Sequence, residues 1–253
     1  MRVQTATKCG VYMYGVVSAD QVIPDAELTG IDAGQVYYIT HGALAAVASD
    51  VPNGRIRPQR RNLAAHQAVL KRLMQESAVL PMSFGIIADD EENVHRVLSL
   101  NQDMLLDQLR RVAGNVEMSL RVRWDAPNIF EYFVNVHPQL STLRDRLFCG
   151  GREPCQADRI ELGRLFQGIL NTDRAFHTEA VWRILLPCCV EIKENQPRED
   201  RDVMNLACLV GRDLQKEFEN AVFEAANLFD DNFRFDFSGP WPPYSFVDVE
   251  LGM

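Results

Sequence analysis

The hydrophobic and polar positions of the chain predict an alternation of strands and helices. Residues 116–124 are apolar at every second position, with polar or charged residues between most of them, which is typical of a strand with one buried face. Residues 9–17 are almost continuously apolar and predict a strand that is covered on both faces. Residues 36–40 and 44–48 predict two short strands, which the turn at 40–43 joins as a hairpin.

Apolar residues at helical spacing predict the helices, and shorter apolar runs predict the remaining strands. Helices are predicted at 60–77, 89–112, 127–135, 157–185 and 213–228, and further strands at 79–82, 188–194, 203–210 and 233–237. Asp89 and Glu92 form a capping-box pattern at the start of the second helix, and Asp213 is the predicted cap of the last one. Pro187 is expected to end the long fourth helix, because an interior proline removes a helical hydrogen bond.

The order of these elements predicts an α+β fold with two domains and a C-terminal tail. After residue 112, a strand, a long helix, two strands, a helix and a strand follow one another, with an inserted segment at about 125–155. This is the order of a ferredoxin-like βαββαβ sandwich. The predicted divisions are 1–112 for an N-terminal α+β domain, 113–238 for a modified ferredoxin-like domain and 239–253 for the tail.

The tail is the most unusual segment of the sequence. Residues 239–246 contain three prolines and three aromatic residues, Trp241, Tyr244 and Phe246. Proline lacks a backbone donor and fixes φ, so the segment is expected to be a stiff ribbon and not an interior strand or an ordinary helix. Such a ribbon is either clamped onto its own domains or offered to a partner, and alternation at 247–251 would allow it to continue as an edge strand.

Three segments of the chain together resemble one known family. They are the apolar opening Val-Tyr-Met-Tyr-Gly-Val-Val at 11–17, Val-Leu-Pro-Met-Ser-Phe-Gly at 79–85, and the proline-rich segment at 239–246. In this order and spacing they resemble the gas vesicle GvpL/GvpF family over nearly the whole chain. The resemblance implies the same two-domain arrangement, with a modified ferredoxin-like second domain.

The resemblance also implies a function and partners. Members of the family are minor components needed to build gas vesicles, the hollow protein shells that give cells buoyancy. The implied partners are the very hydrophobic shell protein and other gas vesicle proteins, and the implied location is the cytoplasm and the gas vesicle. Such a protein would nucleate the shell, chaperone its subunits or remain on the shell, and the sequence does not choose among these roles.

Composition and charge narrow the classes of partner. The chain has 26 basic and 35 acidic residues and a net charge of −9, which argues against nucleic acid as the main partner. No apolar run approaches the length of a membrane span, and the N-terminus lacks a signal-peptide pattern, so we expect a cytoplasmic protein. None of the six cysteines forms a Cys-x-x-Cys motif, and reduced thiols are expected, although Cys149 and Cys155 flank a glycine loop and would be able to meet.

No catalytic, nucleotide-binding or metal-binding motif occurs in the sequence, and we predict a non-enzymatic protein without cofactor, metal or small-molecule substrate. The candidate partner-binding residues are Trp241, Tyr244, Phe246, Phe84, Arg55, Arg57, Arg60 and Arg61. Phe84 belongs either to the core or to an interface, and the four arginines either face solvent or grip an acidic partner.

Two alternatives remain at this stage. One is a small-molecule enzyme with a site at the domain junction, for which His66, Arg121 and Arg123 are the candidate residues. The other is a regulator that binds nucleic acid through Arg55–Arg61, although no aromatic residues are interleaved with these arginines.

Overall fold

The computed structural model describes residues 9–22, 28–52, 55–148 and 155–247. The chain has a mixed helix and sheet fold with two antiparallel sheets. It divides into two compact units. The described residues up to 117, together with 240–247, form the first unit, and residues from 118 to 239 form the second.

The sheet of the first unit is built around its first strand. The strands are β1 (Cys9–Ser18), β2 (Val36–His41), β3 (Leu44–Pro52), β4 (Leu80–Pro81) and β5 (Ile87–Ala88). They lie in the order β2-β3-β1-β4, and β5 also pairs with β1. The predicted burial of β1 on both faces and the β2–β3 hairpin are confirmed, and Gly42 takes the positive φ of 57° that the tight turn requires.

Close approach between β1 and β4 depends on one glycine. Gly15 follows a bulge in β1, and a Cβ atom at this position would lie 2.7 Å from the carbonyl oxygen of Leu80. Any side chain here would force the two strands apart, because the obstacle is backbone and cannot rotate away. The Val-Tyr-Met-Tyr-Gly segment thus needs glycine for packing.

The described part of the first unit also has three α-helices: α1 (Arg60–Glu76), α2 (Glu91–Leu100) and α3 (Gln102–Val112). The helix predicted at 60–77 is confirmed, but the single helix predicted at 89–112 is wrong. It breaks at Asn101, which leaves helical geometry and whose side chain donates to the carbonyl of Val97. The N-terminal cap is also one residue later than predicted, since Asp90 and not Asp89 accepts a hydrogen bond from the backbone of Asn93 at 2.8 Å.

The second sheet has four strands, β6 (Asn115–Trp124), β7 (Glu191–Glu194), β8 (Asp202–Gly211) and β9 (Phe233–Trp241), in the order β7-β8-β6-β9. Its helices are α4 (Ile129–Val136), α5 (Pro138–Phe148), α6 (Gln156–Leu185) and α7 (Gln215–Ala226). Trp124, Phe133 and Phe218 are among the fully or nearly fully buried side chains of this unit. The strand predicted at 116–124 and the long helix that ends before Pro187 are confirmed.

Four details of the second unit differ from the prediction. The strand predicted at 188–194 begins only at Glu191, because Leu186–Cys188 form a 3-10 helix. Helix α5 was not predicted, because its apolar spacing is short and follows α4 directly. Asp213 is not a helix cap: Leu214 occupies that position without a side-chain hydrogen bond. The strand predicted at 233–237 continues to Trp241, and Pro240 is tolerated there because β9 is an edge strand.

Candidate functional site

His66 lies at the centre of a buried cluster in the first unit. It is on the inward face of α1, and only 1% of the residue is exposed. The Tyr12 hydroxyl oxygen lies 2.9 Å from Nδ1 of the imidazole ring, and the Tyr244 hydroxyl oxygen lies 3.1 Å from Nε2. Gln67 also donates to the Tyr244 oxygen, at 3.2 Å. Strand β1, helix α1 and the C-terminal residues are therefore joined through one imidazole.

Both tyrosine hydroxyls also accept a hydrogen bond from another donor. The backbone N–H of Gly85 donates to the Tyr12 oxygen at 3.2 Å, and the side-chain amide of Gln67 donates to the Tyr244 oxygen at 3.2 Å. The neutral imidazole ring donates through one nitrogen and accepts through the other, so it bridges the two tyrosines in either tautomer. Burial lowers the pKa of His66 to about 4 and raises the pKa of both Tyr12 and Tyr244 to about 12. All three groups are neutral at pH 7.

Aromatic rings close the cluster around these hydrogen bonds. The Tyr14 ring stacks on His66 with centroids 5.6 Å apart, and its hydroxyl is held by Ser49 and by the backbone of Ile31. Phe84 is half-buried and contacts both Tyr12 and His66, with centroids 6.1 and 5.8 Å apart. Gly85 has a positive φ of 93°, which lets the chain turn directly after Phe84.

Residues 241–247, here called the C-terminal strap, are packed against the first unit. The Glu117 carboxylate accepts hydrogen bonds from the backbone N–H and the hydroxyl of Ser245, at 2.7 and 2.8 Å. Phe246 is fully buried, and the Lys71 ammonium lies 4.5 Å from the centroid of the Trp241 ring. Of the two placements that the sequence left open, the structure shows the packed one.

This placement changes what the three tail aromatics can do. Phe246 is buried and anchors the strap, so it could contact a partner only if the strap were displaced. This differs from the expectation that the Phe246 side chain is exposed to a partner. Trp241 and Tyr244 are half-buried. Their binding to a partner stays a prediction. The possible strand at 247–251 lies largely outside the described residues.

An apolar groove of about 560 Å³ lies beside the cluster, within the first unit. Strands β1, β4 and β5, helix α2 and the strap contribute its walls. The apolar side chains that line it include Met13, Leu80, Met82, Ile86, Val97 and Val247. Asp89, Asn93 and Arg96 add polar groups. All three segments that carry the family resemblance contribute to this lining: Met13 comes from 11–17, Leu80 and Met82 come from 79–85, and Tyr244 comes from 239–246.

The sequence of the whole chain decides the family. The sequence model of the family described as gas vesicle synthesis protein GvpL/GvpF matches residues 10–248. The chain belongs to the GvpL/GvpF family. Similar relatives include gas vesicle protein F of Dolichospermum flosaquae, 25% identical over 95% of this chain and 98% of the relative. Gas vesicle protein F of Streptomyces sp. (strain CB03234) is 28% identical over 94% of this chain and 99% of the relative.

Solved structures of GvpF have the same fold. The crystal structure of GvpF from Anabaena sp. PCC7120 matches with a TM-score of 0.84 and 24% identity, over 95% of this chain and 99% of that one. GvpF from Microcystis aeruginosa matches with a TM-score of 0.81 and 23% identity, with the same coverage. At this identity the likeness establishes the fold alone.

The three segments that indicate the GvpL/GvpF family converge on His66 in the folded chain. The segment 11–17 supplies Tyr12, 79–85 supplies Phe84 and Gly85, and 239–246 supplies Tyr244. In the sequence, His66 was either a surface or core-edge histidine or a candidate residue of an enzyme site, and its place in this cluster was not predicted. The roles of Gln67 and Glu117 were missed, and no local pattern could reveal them because their partners lie near the other end of the chain.

The four candidate arginines of this GvpL/GvpF protein lie on the surface, apart from the lining of the groove. Arg55, Arg57, Arg60 and Arg61 are all exposed. Arg61 is 3.8 Å from Asp32, and both side chains are at least half exposed, so this ion pair contributes little to stability. Their binding to an acidic partner or to nucleic acid stays a prediction.

The three candidate residues for an enzyme site each have hydrogen-bond or ion-pair partners within their own unit. Both nitrogens of His66 are hydrogen-bonded to tyrosines. Arg121 forms an ion pair with the buried Asp202, with atoms 2.7 and 2.8 Å apart, and this pairing raises the pKa of Arg121. Arg123 pairs with Asp236 at 2.6 Å. Each of these groups has an evident structural role.

Neither a metal site nor a membrane-spanning helix is found among the described residues. There, no group of three or more His, Cys, Asp or Glu side chains is placed to hold a metal ion. No helix in the described part of the chain combines the length and the apolar character that a bilayer crossing requires. Cys155, Cys188, Cys189 and Cys208 are free thiols, and the possible pairing of Cys155 with Cys149 involves a residue outside the described ranges.

Proposed function

We propose that this chain is a non-enzymatic minor structural or assembly protein of gas vesicles, which binds the hydrophobic shell protein while the shell nucleates or grows. Family membership supports a role in gas vesicles. The relatives carry the names of gas vesicle proteins F and L and not of enzymes. The proposed location is the cytoplasm and the gas vesicle.

The observation that carries the proposal is the apolar groove of the first unit. Apolar area that is removed from water stabilises a complex by about 25 cal/mol per Å² before the costs of association are subtracted. Ile86 is 39% exposed and lines this groove. A shell subunit that must be kept from aggregating would place an apolar segment there.

The strap gives the groove a fixed wall. Tyr244 and Val247 line the groove, while the hydrogen bonds to His66 and Glu117 hold the strap in place. A wall that is ordered before the partner arrives lowers the entropic cost of binding. The tail aromatics then contribute to partner binding mainly by shaping the groove. Phe84 contributes indirectly, because it packs against His66, which holds Tyr244.

We also propose that the second unit is a modified ferredoxin-like domain. The chain order β6, helices, β7, β8, α7 and β9 has the βαββαβ form, and the sheet order β7-β8-β6-β9 places its first and third strands in the middle. Helices α4 and α5 are the inserted segment. The proposed domains, 1–112 and 113–238 with the tail 239–253, have boundaries close to the limits of the compact units at 117/118 and 239/240.

The proposal is tested by capture of the shell protein on this chain. The purified full-length protein would be immobilised, and the binding of freshly solubilised shell protein would be measured. In the variant Ile86→Asp, a charge replaces an apolar side chain at the groove, and we expect binding to weaken by about tenfold or more.

A matched control exists in the same unit. Leu63 is 40% exposed, nearly the same as Ile86, but it does not line the groove. Leu63→Asp therefore makes the same change in charge and polarity elsewhere on the surface, and it should bind shell protein normally. Equal binding by wild type, Ile86→Asp and Leu63→Asp would eliminate the groove as the contact surface.

A further inference from the structure

Strand β9 presents an open edge with an alternating pattern. It is the last strand of the second sheet, so one side of its backbone has no partner strand among the described elements. Phe233, Phe235 and Phe237 alternate with Arg234 and Asp236. The Arg234 and Asp236 side chains pair with each other at 3.2 Å and are still 59% and 41% exposed, so both can also reach a second strand. The three phenylalanines are half-buried.

The apolar face of this edge continues into exposed aromatic surface. The Phe235 ring lies 5.0 Å from that of Phe229, and Phe237 lies 6.2 Å from Phe223, measured between centroids. Phe223 is 57% exposed and Leu228 is 61% exposed. Natural proteins usually protect an edge strand with charge or by covering it, because an open apolar edge invites another strand.

The other edge of the same sheet has such protection. Strand β7 is four residues long, and three of them, Glu191, Lys193 and Glu194, are charged. By contrast, residues 233–237 of β9 offer five positions, one more than β7, and they lie before Gly239 and Pro240, where the missing N–H of proline interrupts a ladder. The two edges therefore differ in length and in character.

We propose that β9 pairs antiparallel with β9 of a second copy of this chain, centred on Phe235. In this register Phe235 faces its own counterpart, and Phe233 faces Phe237 of the second copy. On the other face of the sheet, Arg234 faces Asp236 of the second copy, and this pair occurs twice. Directly opposed residues in an antiparallel pair have Cβ atoms about 4.5–5.5 Å apart, close enough for both kinds of contact.

Charge selects this register over its neighbours. A shift of the centre to residue 234 would oppose two arginines, and a shift to residue 236 would oppose two aspartates. Like charges that face each other across a sheet are destabilising. The sequence Phe-Arg-Phe-Asp-Phe is thus complementary to itself only when it is centred on Phe235, which is why a second copy of this chain fits the edge better than an unrelated strand.

The experiment is sedimentation velocity of the full-length protein over the micromolar range, with charge reversals at the two positions. Wild type is expected to form dimers as its concentration rises. Arg234→Asp alone opposes aspartate to aspartate, and Asp236→Arg alone opposes arginine to arginine, so each should self-associate about tenfold or more weakly. When the two variants are mixed, every pair is again of opposite charge, and a mixed dimer should form with nearly wild-type affinity.

Two controls separate this pairing from other causes. Arg159 is exposed on α6, and Arg159→Asp makes the same charge change away from β9, so it should dimerise like wild type. Asp236→Arg also removes the partner of Arg123, and if this variant did not fold, no mixed dimer would form for that reason alone.

Amide exchange of wild-type residues 233–238 therefore tests the pairing without substitutions. Backbone amides on the outer side of β9 should be protected only at high protein concentration.

The proposal is overturned if wild type stays monomeric, or if either charge reversal dimerises as wild type does. It is also overturned if two folded variants fail to associate on mixing, or if exchange at 233–238 is independent of concentration. None of these results bears on the shell-binding groove, whose residues belong to the first unit.

Discussion

His66 Nε2 lies 3.1 Å from the hydroxyl oxygen of Tyr244, although 178 positions separate the two residues along the chain. This buried contact joins helix α1 to the C-terminal strap. Both partners are neutral at pH 7, because burial opposes the charged form of each. The strap is therefore held by neutral hydrogen bonds and aromatic packing as well as by the carboxylate of Glu117.

Tyr244→Phe should destabilise the protein by about 1–3 kcal/mol, because it leaves polar groups of His66 and Gln67 buried without this partner. The free energy of unfolding in urea measures the effect. Tyr37→Phe is a suitable control, since it removes a tyrosine hydrogen bond to Asp50 that is exposed. Because water can replace the lost partner at this exposed position, that variant should lose less than about 1 kcal/mol. Equal losses in the two variants would show that burial does not strengthen the Tyr244 contact.

Glu117→Gln should loosen the strap, because a neutral amide replaces the carboxylate that accepts two hydrogen bonds from Ser245. Hydrogen bonds to a charged group stabilise by about 1.5–3 kcal/mol, and the amide retains only part of this. Faster amide exchange within residues 241–247 is the expected result. Ser245→Ala removes only the hydroxyl bond and should have a smaller effect; a larger effect than that of Glu117→Gln would contradict this account.

Acid should destabilise the first unit through His66. Its pKa is about 4 in the folded chain against 6.5 for an ordinary histidine, so the unfolded chain binds the proton more tightly. The stabilisation is complete above about pH 6.5 and is lost as the pH falls towards 4, by about 3 kcal/mol in all. Unfolding in urea at several pH values measures this loss.

His66→Gln provides the comparison for the pH experiment, since glutamine does not titrate. Between pH 6.5 and 4 its stability should fall less steeply than that of wild type, whatever its stability at pH 7. His177 in the second unit also has a lowered pKa because it is buried, but it contributes equally to both proteins. Identical pH profiles for the two proteins would refute the assignment to His66.

Asp202→Ala should be among the most damaging single changes in the second unit. The Asp202 side chain is fully buried and accepts from Arg121 and from the backbone N–H groups of Arg198 and Glu199. Removal of one partner of a fully buried pair typically costs about 3–5 kcal/mol. Arg121 is 23% exposed and keeps Glu199 as a second partner, so the loss should be about 3 kcal/mol, at the low end of that range. Thermal or urea unfolding tests this.

Asp145→Ala serves as the control for Asp202→Ala. Asp145 pairs with Arg144 at the surface, where both side chains are about half exposed, and the loss should be below about 1 kcal/mol. If both aspartates tolerated alanine equally well, burial of the Arg121–Asp202 pair would not be the reason for its strength.

Elements with a strong local signal could be predicted from the sequence. The strand at 116–124 was found because its alternation is complete within nine residues, and α1 because its apolar face repeats over 17 residues. The break at Asn101 was missed since the apolar spacing of α2 runs on into α3 without a proline or glycine. Asp89 and Asp90 are equivalent as caps in sequence, and only the backbone geometry distinguishes them.

The sequence by itself determined the alternation of strands and helices, the acidic surface and, through three short segments, the likeness to the GvpL/GvpF family. Only the tertiary structure decided that those segments meet at His66, that Phe246 is buried and that a groove lies beside them. Periodicity is a property of neighbouring residues, so it appears in the sequence. Contacts between residues 12, 66 and 244 depend on how the sheet and helices pack, and no local pattern encodes that.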